Sequence, residues 1–434
     1  MPDTSRTTSI DNLHSLFELN QIAEDDSGYP RARFNFTGDV EQLRKSHFLT
    51  RLNVDLEVEE LIPEVSQAAD AFIQSLNPLR KLPVPISFAC KDCEYRVAED
   101  ETPNGFRECW GTLADPKPHI LDLYFGGTVA EVKNLIATGK TGLHDLPESA
   151  LTKKDGSVGT RGQRQLIQIL NTKSKTEWID PALGDILSSH AYPLHFIDFE
   201  TTGLAVPYHA GMHPFENVAF QWSCHTIPAP NAKPKHTEWI NLGESFPNFA
   251  FAESLKDHLG EDGTVFMWAT HENTILKDIL RQMDGRHENE TLKNWLARMT
   301  ASQMVDMNQL TLKHYFHPLM KGRTSIKKVL DAVWQTNPTL RGRFPFYVKE
   351  ENGELLSPYK SLPPLMIAGR DVFVNEGTGA ITAYQSMLYG AQKSDMDIRD
   401  QWKHLLLQYC ELDTLAMVMI YWHWREKLNG MHFR

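Results

Sequence analysis

Two kinds of hydrophobic pattern run along this chain, and they meet near residue 190. Ahead of that point the first 60 residues read as polar and irregular. Apolar positions then recur at three- and four-residue spacing over 56–76, LEVEELIPEVSQAADAFIQSL, which predicts a helix. A proline-broken stretch, NPLRKLPVPISFAC, leads into three clustered cysteines. Residues 119–141 predict a short strand, a glycine turn and a helix; KKDGSVGTRGQRQLIQILNTKSKTEW predicts a loop and a helix with several basic side chains.

Beyond residue 190, short apolar runs predict strands at PLHFIDFE, ENVAFQWSCHTI and around TEWINL. A helix at 250–259, a strand at 264–268 and helices at 271–283 and 287–299 follow. MVDMNQL fits either a strand or a helix start, and helices are predicted at 324–334, 377–390 and 399–427. Three strands in succession, then strands alternating with helices, predict a mixed α/β sheet flanked by helices. At 434 residues the chain is long for one core. The pattern break sets the boundary at 185–192, giving a smaller α+β region with a cysteine cluster at 1–188 and the sheet domain at 189–434.

Composition narrows the class. With 41% apolar and 23% charged residues the chain reads as an ordinary globular protein. No window holds the roughly 18 uninterrupted apolar residues of a membrane span. The opening MPDTSRTTSIDNLHSL lacks the basic start and apolar core of a secretory signal. Five cysteines, an odd and sparse set, argue for a reducing compartment, so a cytoplasmic location is expected. A net charge of -12 counts against a protein that coats DNA, but not against an enzyme that grips a few phosphates.

Three acid-bearing elements carry the candidate chemistry. Asp198 and Glu200 end the strand PLHFIDFE; residues two apart on a strand share a face, so both enter one cleft. Two carboxylates that close repel unless cations neutralise them. The plain alternative is an exposed strand end with two solvated acids. In VFMWATHENTIL, a strand runs into a helix opened by Thr270, His271 and Glu272. Glu272 in the first turn suits the helix dipole, which alone would account for it; His271 reads equally as a surface histidine. In LLLQYCELDTLAMVMIYWHW, Tyr409 and Asp413 lie four apart on one helical face. That helix is apolar nearly all round, so a carboxylate within it needs a partner, and a metal ion is a good one.

Together these elements resemble the DEDD (DnaQ-like) exonuclease superfamily, tyrosine subclass. Asp198 and Glu200 match its D-x-E motif at the end of the first strand, and Tyr409-Cys410-Glu411-Leu412-Asp413 matches its Y-x-x-x-D motif without a gap. Its second motif, N-x-x-[FY]-D, is altered here to Trp268-Ala269-Thr270-His271-Glu272, with Glu in place of Asp. Val305-Asp306 is similar to the segment that follows, and Asp306 is read as structural first and as a ligand second. YPLHFIDFETTGLAVP, ENVAFQWSCH, MKGRTSIKKVL and LLLQYCELDTLAMV also look like a bacterial family in which a RecB-like nuclease region precedes a DEDD-type domain of unknown function. Residues 1–90 carry no D…E-x-K set, so the resemblance implies only a remnant of the RecB-like part.

The resemblance implies a ribonuclease H-like sheet and a two-metal 3′→5′ exonuclease acting on single-stranded DNA or RNA 3′ ends. Asp198, Glu200, Glu272 and Asp413 would hold two Mg²⁺ or Mn²⁺ ions about 3.5–4 Å apart, hard cations that prefer oxygen. One ion would activate water, the other would stabilise the leaving 3′ oxygen, and Tyr409 would orient the water. The product would be a nucleoside 5′-monophosphate. Two other readings stay open: a non-catalytic nucleic-acid-binding module, motivated by the altered second motif, and a hydrolase of small nucleotides, motivated by the lack of a broad basic surface.

Lys313, Lys321, Arg323, Lys327 and Lys328 form the favoured basic cluster for phosphate contacts; Lys153, Lys154, Arg161, Arg164, Lys173 and Lys175 form a second. Solvated helix faces or loops are the plain alternative for each. Trp222, Tyr315 and Phe316 are either base-stacking or packing residues. Cys90, Cys93 and Cys109 offer a half-formed zinc or iron–sulfur site, similar to the cysteine group of iron–sulfur RecB-like nucleases, with His119 as a further zinc ligand; three unligated thiols are the alternative.

Overall fold

A computed structural model describes residues 16–24, 30–45, 52–97, 101–153, 155–205, 207–363, 365–367, 370–372, 377–389 and 395–431. Two compact units emerge. The larger comprises Ile179–Tyr315 and Thr324–Arg434 with Met1–Thr50, and the smaller comprises Arg51–Trp178 and Phe316–Arg323.

The larger unit is built on a five-stranded mixed sheet. Its central strand, Leu194–Thr202, pairs antiparallel with Val218–Ile227, which pairs antiparallel with Lys235–Ile240. On its other side the central strand pairs parallel with Thr264–Met267, which pairs parallel with Met304–Asp306. The α/β expectation is met at this level. MVDMNQL serves in both of its expected forms, a strand at Met304–Asp306 and a helix at Met307–His314.

Helices cover both faces, which is why the central strands are buried almost throughout although they carry polar side chains. On one face Ile197, Phe199, Trp222 and Cys224 pack with Phe251 and Leu255 of helix Asn248–Leu259, Ile275 and Ile279 of helix His271–Gln282, and Trp295 of helix Glu290–Arg298. On the other face Phe220 stacks on Tyr384 of helix Gly377–Tyr389, with ring centroids 3.9 Å apart. Phe196 meets Tyr421 of the long helix Met396–Met431 there. No helix among the described residues is long and apolar enough to cross a membrane.

Two expectations are corrected. The described part of the first 60 residues is not irregular: Phe17–Glu24 and Pro30–Phe36 pair antiparallel and Val40–Lys45 forms a short helix, while 1–15, 25–29 and 46–51 lie outside the described residues. The strand expected from residue 119 is absent; 3-10 turns at Ile120–Asp122 and Gly126–Thr128 precede helix Ala130–Ala137. An apolar run fits a buried strand or a buried turn equally well, and here His119 caps the first turn by accepting from the Leu121 N–H at 3.1 Å. Ile120, Leu121 and Leu123 fill the small unit's core with Trp110, Leu135 and Ile169. Helix Asp55–Leu76 forms as expected.

Candidate active site

The site lies where the carboxyl ends of the parallel strands meet the long C-terminal helix, the edge at which open α/β sheets place ligands. Pleating sends Phe196, Asp198 and Glu200 to the face covered by helix Met396–Met431. From that helix Tyr409, Cys410 and Asp413 project toward them, since residues three and four apart share a helical face. The Cys410 thiol donates to Asp198 Oδ2 at 3.6 Å. One ligand atom from each of Asp198, Glu200 and Cys410 lies within 4.8 Å of the others.

Glu272 enters from the next strand. Thr264–Met267 ends in a turn where Ala269 takes a left-handed φ of 70°, and helix His271–Gln282 then begins. The Asp306 carboxylate holds this turn. Its Oδ1 accepts from the Ala269 N–H and from the Gln309 N–H, each at 3.1 Å, capping helix Met307–His314. Asp306 is therefore structural. Glu272 is only 2% exposed, and its Oε2 is buried without a hydrogen-bond partner. Thr201 Oγ1 reaches His271 Nε2 across 3.4 Å, tying the central strand's end to the start of this helix.

Electrostatics couple the four acids. Burial, then the charge of Asp413 and that of Glu272, pushes Asp198 well above the ordinary carboxylate range. Burial and Asp413 do the same to Glu200, opposed by Lys327. Burial raises Glu272 to about 8, with Asp306 and Asp413 adding to the rise. Asp413 rises to about 6 through burial, moderated by hydrogen bonds from Tyr359 and Tyr409 and by Lys327. Burial and mutual repulsion favour the protonated acids here, and a divalent ion would supply the missing positive charge. The unpartnered Glu272 oxygen and the carboxylates of Asp198 and Glu200 fit a hard cation, while the Cys410 sulfur shares the converging group and Glu272 and Asp413 lie outside it.

Three surrounding side chains complete the site. Tyr359 donates to Asp413 Oδ1. Lys327 Nζ sits 5.2 Å from the Tyr359 ring centroid and 5.3 Å from that of Tyr409. Burial and Asp413 keep the Tyr409 phenol protonated. Tyr359 and the role of Cys410 escape sequence reasoning. Tyr359 sits in a turn with no periodicity, and the meaning of Cys410 depends on how the helix is rotated.

The remaining candidates separate. Lys327 borders the acids, while Lys328 and Lys313 are exposed. In the smaller unit Lys321 is exposed and Arg323 is committed to Asp92 at 2.7 Å. Of the second basic set, Lys153, Arg161, Lys173 and Lys175 are exposed, Arg164 is buried with its guanidinium over Phe316, and Lys154 lies outside the described residues. Trp222, Tyr315 and Phe316 are packing residues, 2% exposed or less, and cannot stack on bases.

The cysteine group does not assemble. Cys90 lies in a 3-10 turn against the core of the smaller unit, and Cys109 is exposed on helix Gly105–Trp110. Among the described residues Cys90, Cys93 and Cys109 form no set of converging ligand atoms. Both ring nitrogens of His119 are engaged, one with Leu113 O at 3.0 Å and the other with the Leu121 N–H at 3.1 Å, so it cannot complete a zinc site as arranged.

Residues 195–325 match the family model described as a domain of unknown function (DUF2779). The matched stretch contains Asp198, Glu200, Glu272 and Asp306 and ends before Lys327, Tyr409 and Asp413. No curated protein and no solved structure matches the chain.

Proposed function

We propose that this chain is a metal-dependent 3′→5′ exonuclease on a ribonuclease H-like sheet, with an N-terminal remnant of a RecB-like nuclease. The observation that carries the reading is the meeting of Asp198 and Glu200, from a strand end, with Tyr409 and Asp413, from one face of a buried helix. The five-stranded mixed sheet, with its acids at the carboxyl ends of parallel strands, supports it.

Asp198, Glu200, Glu272 and Asp413 would hold two Mg²⁺ or Mn²⁺ ions, which when bound supply an activated water and charge neutralisation at the scissile phosphate. Tyr409, kept protonated and next to Asp413, orients the attacking water by hydrogen bonding. Lys327 offers a cation at the rim for the substrate phosphate. The test is Mn²⁺-dependent release of label from a 3′-labelled single strand. Wild type should release nucleoside 5′-monophosphate; equal release by Asp413→Ala would refute the reading.

A second reading, a binding module without turnover, draws on one feature. Glu272 and Asp413 stand outside the tightest ligand group, and Tyr359 occupies Asp413 Oδ1. It calls for metal-independent strand binding with no product. Comparing dinucleotides with long strands separates both from a hydrolase of small nucleotides.

A further inference from the structure

The opposite face of the central strand carries a second cluster of a different chemistry. His195 shares its face with Ile197 and Phe199, away from Asp198 and Glu200. Cys224 is the cross-strand partner of Ile197, and Thr226 is that of His195. His258, in the last turn of helix Asn248–Leu259, reaches the same spot, with its ring 6.1 Å from that of His195 and stacked on Trp222. One nitrogen of each imidazole and the Cys224 sulfur lie within 4.8 Å of one another.

Protein contacts satisfy this cluster only in part: the Cys224 sulfur lies 3.5 Å from Thr226 Oγ1 and 4.0 Å from His195 Nδ1. His195 is 3% exposed and Cys224 is fully buried. His195 Nε2 and His258 Nε2 are both buried without a hydrogen-bond partner. A buried nitrogen left without a partner is destabilising, and two imidazoles that each carry one, grouped with a single thiol, call for a common explanation. His195 Nδ1 lies 2.9 Å from Thr226 Oγ1, the kind of outer contact that fixes a ligating imidazole's orientation. Burial holds both imidazoles neutral, His195 down to about 4, which is the ligating form.

We propose that His195, Cys224 and His258 form a nitrogen–sulfur site for a zinc-type divalent cation, distinct from the carboxylate site on the other face of the same strand. Imidazole and thiolate select zinc or cobalt over magnesium and manganese, the reverse of an all-oxygen set. Uptake breaks the Cys224 S–H bond and releases its proton to solvent, with no change of oxidation state. The ion joins two sheet strands to helix Asn248–Leu259, so its role is structural, bracing the strand that presents Asp198 and Glu200.

The test is titration of the purified full-length chain with Co²⁺ in excess Mg²⁺, reading the thiolate-to-cobalt charge-transfer band. One equivalent should bind with that band. The band should persist in Asp198→Asn and Cys410→Ser and vanish in Cys224→Ser. Should Cys224→Ser not fold, His258→Gln, at a partly exposed position, carries the test, with affinity expected to fall by at least about tenfold. No band in wild type, a band surviving Cys224→Ser, unchanged affinity in His258→Gln, or a band lost with Cys410→Ser would each overturn the assignment.

Discussion

The chain offers two groups of metal-ligand residues that its sequence makes visible, and they end differently. Asp198, Glu200 and Asp413 lie more than two hundred positions apart at their extremes, yet the charge of Asp413 acts on both of the others, and Asp198 and Glu200 bring ligand atoms together with Cys410. Cys90, Cys93 and Cys109 lie within twenty positions, yet among the described residues they form no set of converging ligand atoms. The acids are carried by a central strand and a long buried helix, whose pleat and pitch fix where each side chain points. The cysteines ride on a 3-10 turn and a short helix, with Cys109 facing solvent. Closeness in sequence is a poor guide to a site; rigid elements that meet are a better one.

The contrast is open to direct attack. The largest effect should come from Asp198→Asn or Asp413→Asn. Removing a ligand forfeits several kcal/mol of transition-state charge stabilisation, so turnover of a 3′-labelled strand should fall about a thousandfold. Residual activity near wild type would break the acid side of the comparison. Tyr409→Phe should lower kcat about a hundredfold while leaving Mn²⁺ affinity unchanged by calorimetry, as expected for a group that positions water.

Next in size is a linked effect of pH and metal on stability. In metal-free protein Glu272 rises from the ordinary 4.5 to about 8, and Asp413 from 3.8 to about 6. Folded protein then keeps protons that the unfolded chain gives up, so stability falls as pH rises through this window, and the contribution of these two groups is gone above about 8. Melting in a chelator should drop by several degrees between about pH 5 and pH 8.5, and Mn²⁺ should abolish most of the drop. A chelator-treated protein whose stability rises over that window would contradict the assignment. The smallest effect is expected at the cysteines: Cys109→Ser should shift stability by no more than about 0.5 kcal/mol and leave metal content by mass spectrometry unchanged.

Much of the candidate site was legible in the chain. Asp198 and Glu200 stand at the end of an apolar run, and Tyr409 and Asp413 have helical spacing within a segment too apolar to be exposed. What could not be read depended on contacts between distant elements. Tyr359 comes from a turn and reaches Asp413 only because the fold brings it there. The burial of Glu272 Oε2 without a partner, at the start of a helix that follows the Ala269 turn and the Asp306 contact, could not be read from the chain. The antiparallel pair of Phe17–Glu24 and Pro30–Phe36 was missed although ARFNF alternates, because one short alternating run is weak on its own. The run after His119 misled for the same reason in reverse. The match of residues 195–325 to a domain of unknown function covers the strands that present the first acids but not the helix that completes the set.

Anomalous diffraction from crystals soaked in Mn²⁺ tests the central claim most directly. The account predicts anomalous density bounded by Asp198, Glu200, Glu272 and Asp413, and none at Cys90, Cys93 or Cys109. Manganese absent from the acid pocket at saturating concentration, or found only elsewhere, would contradict it.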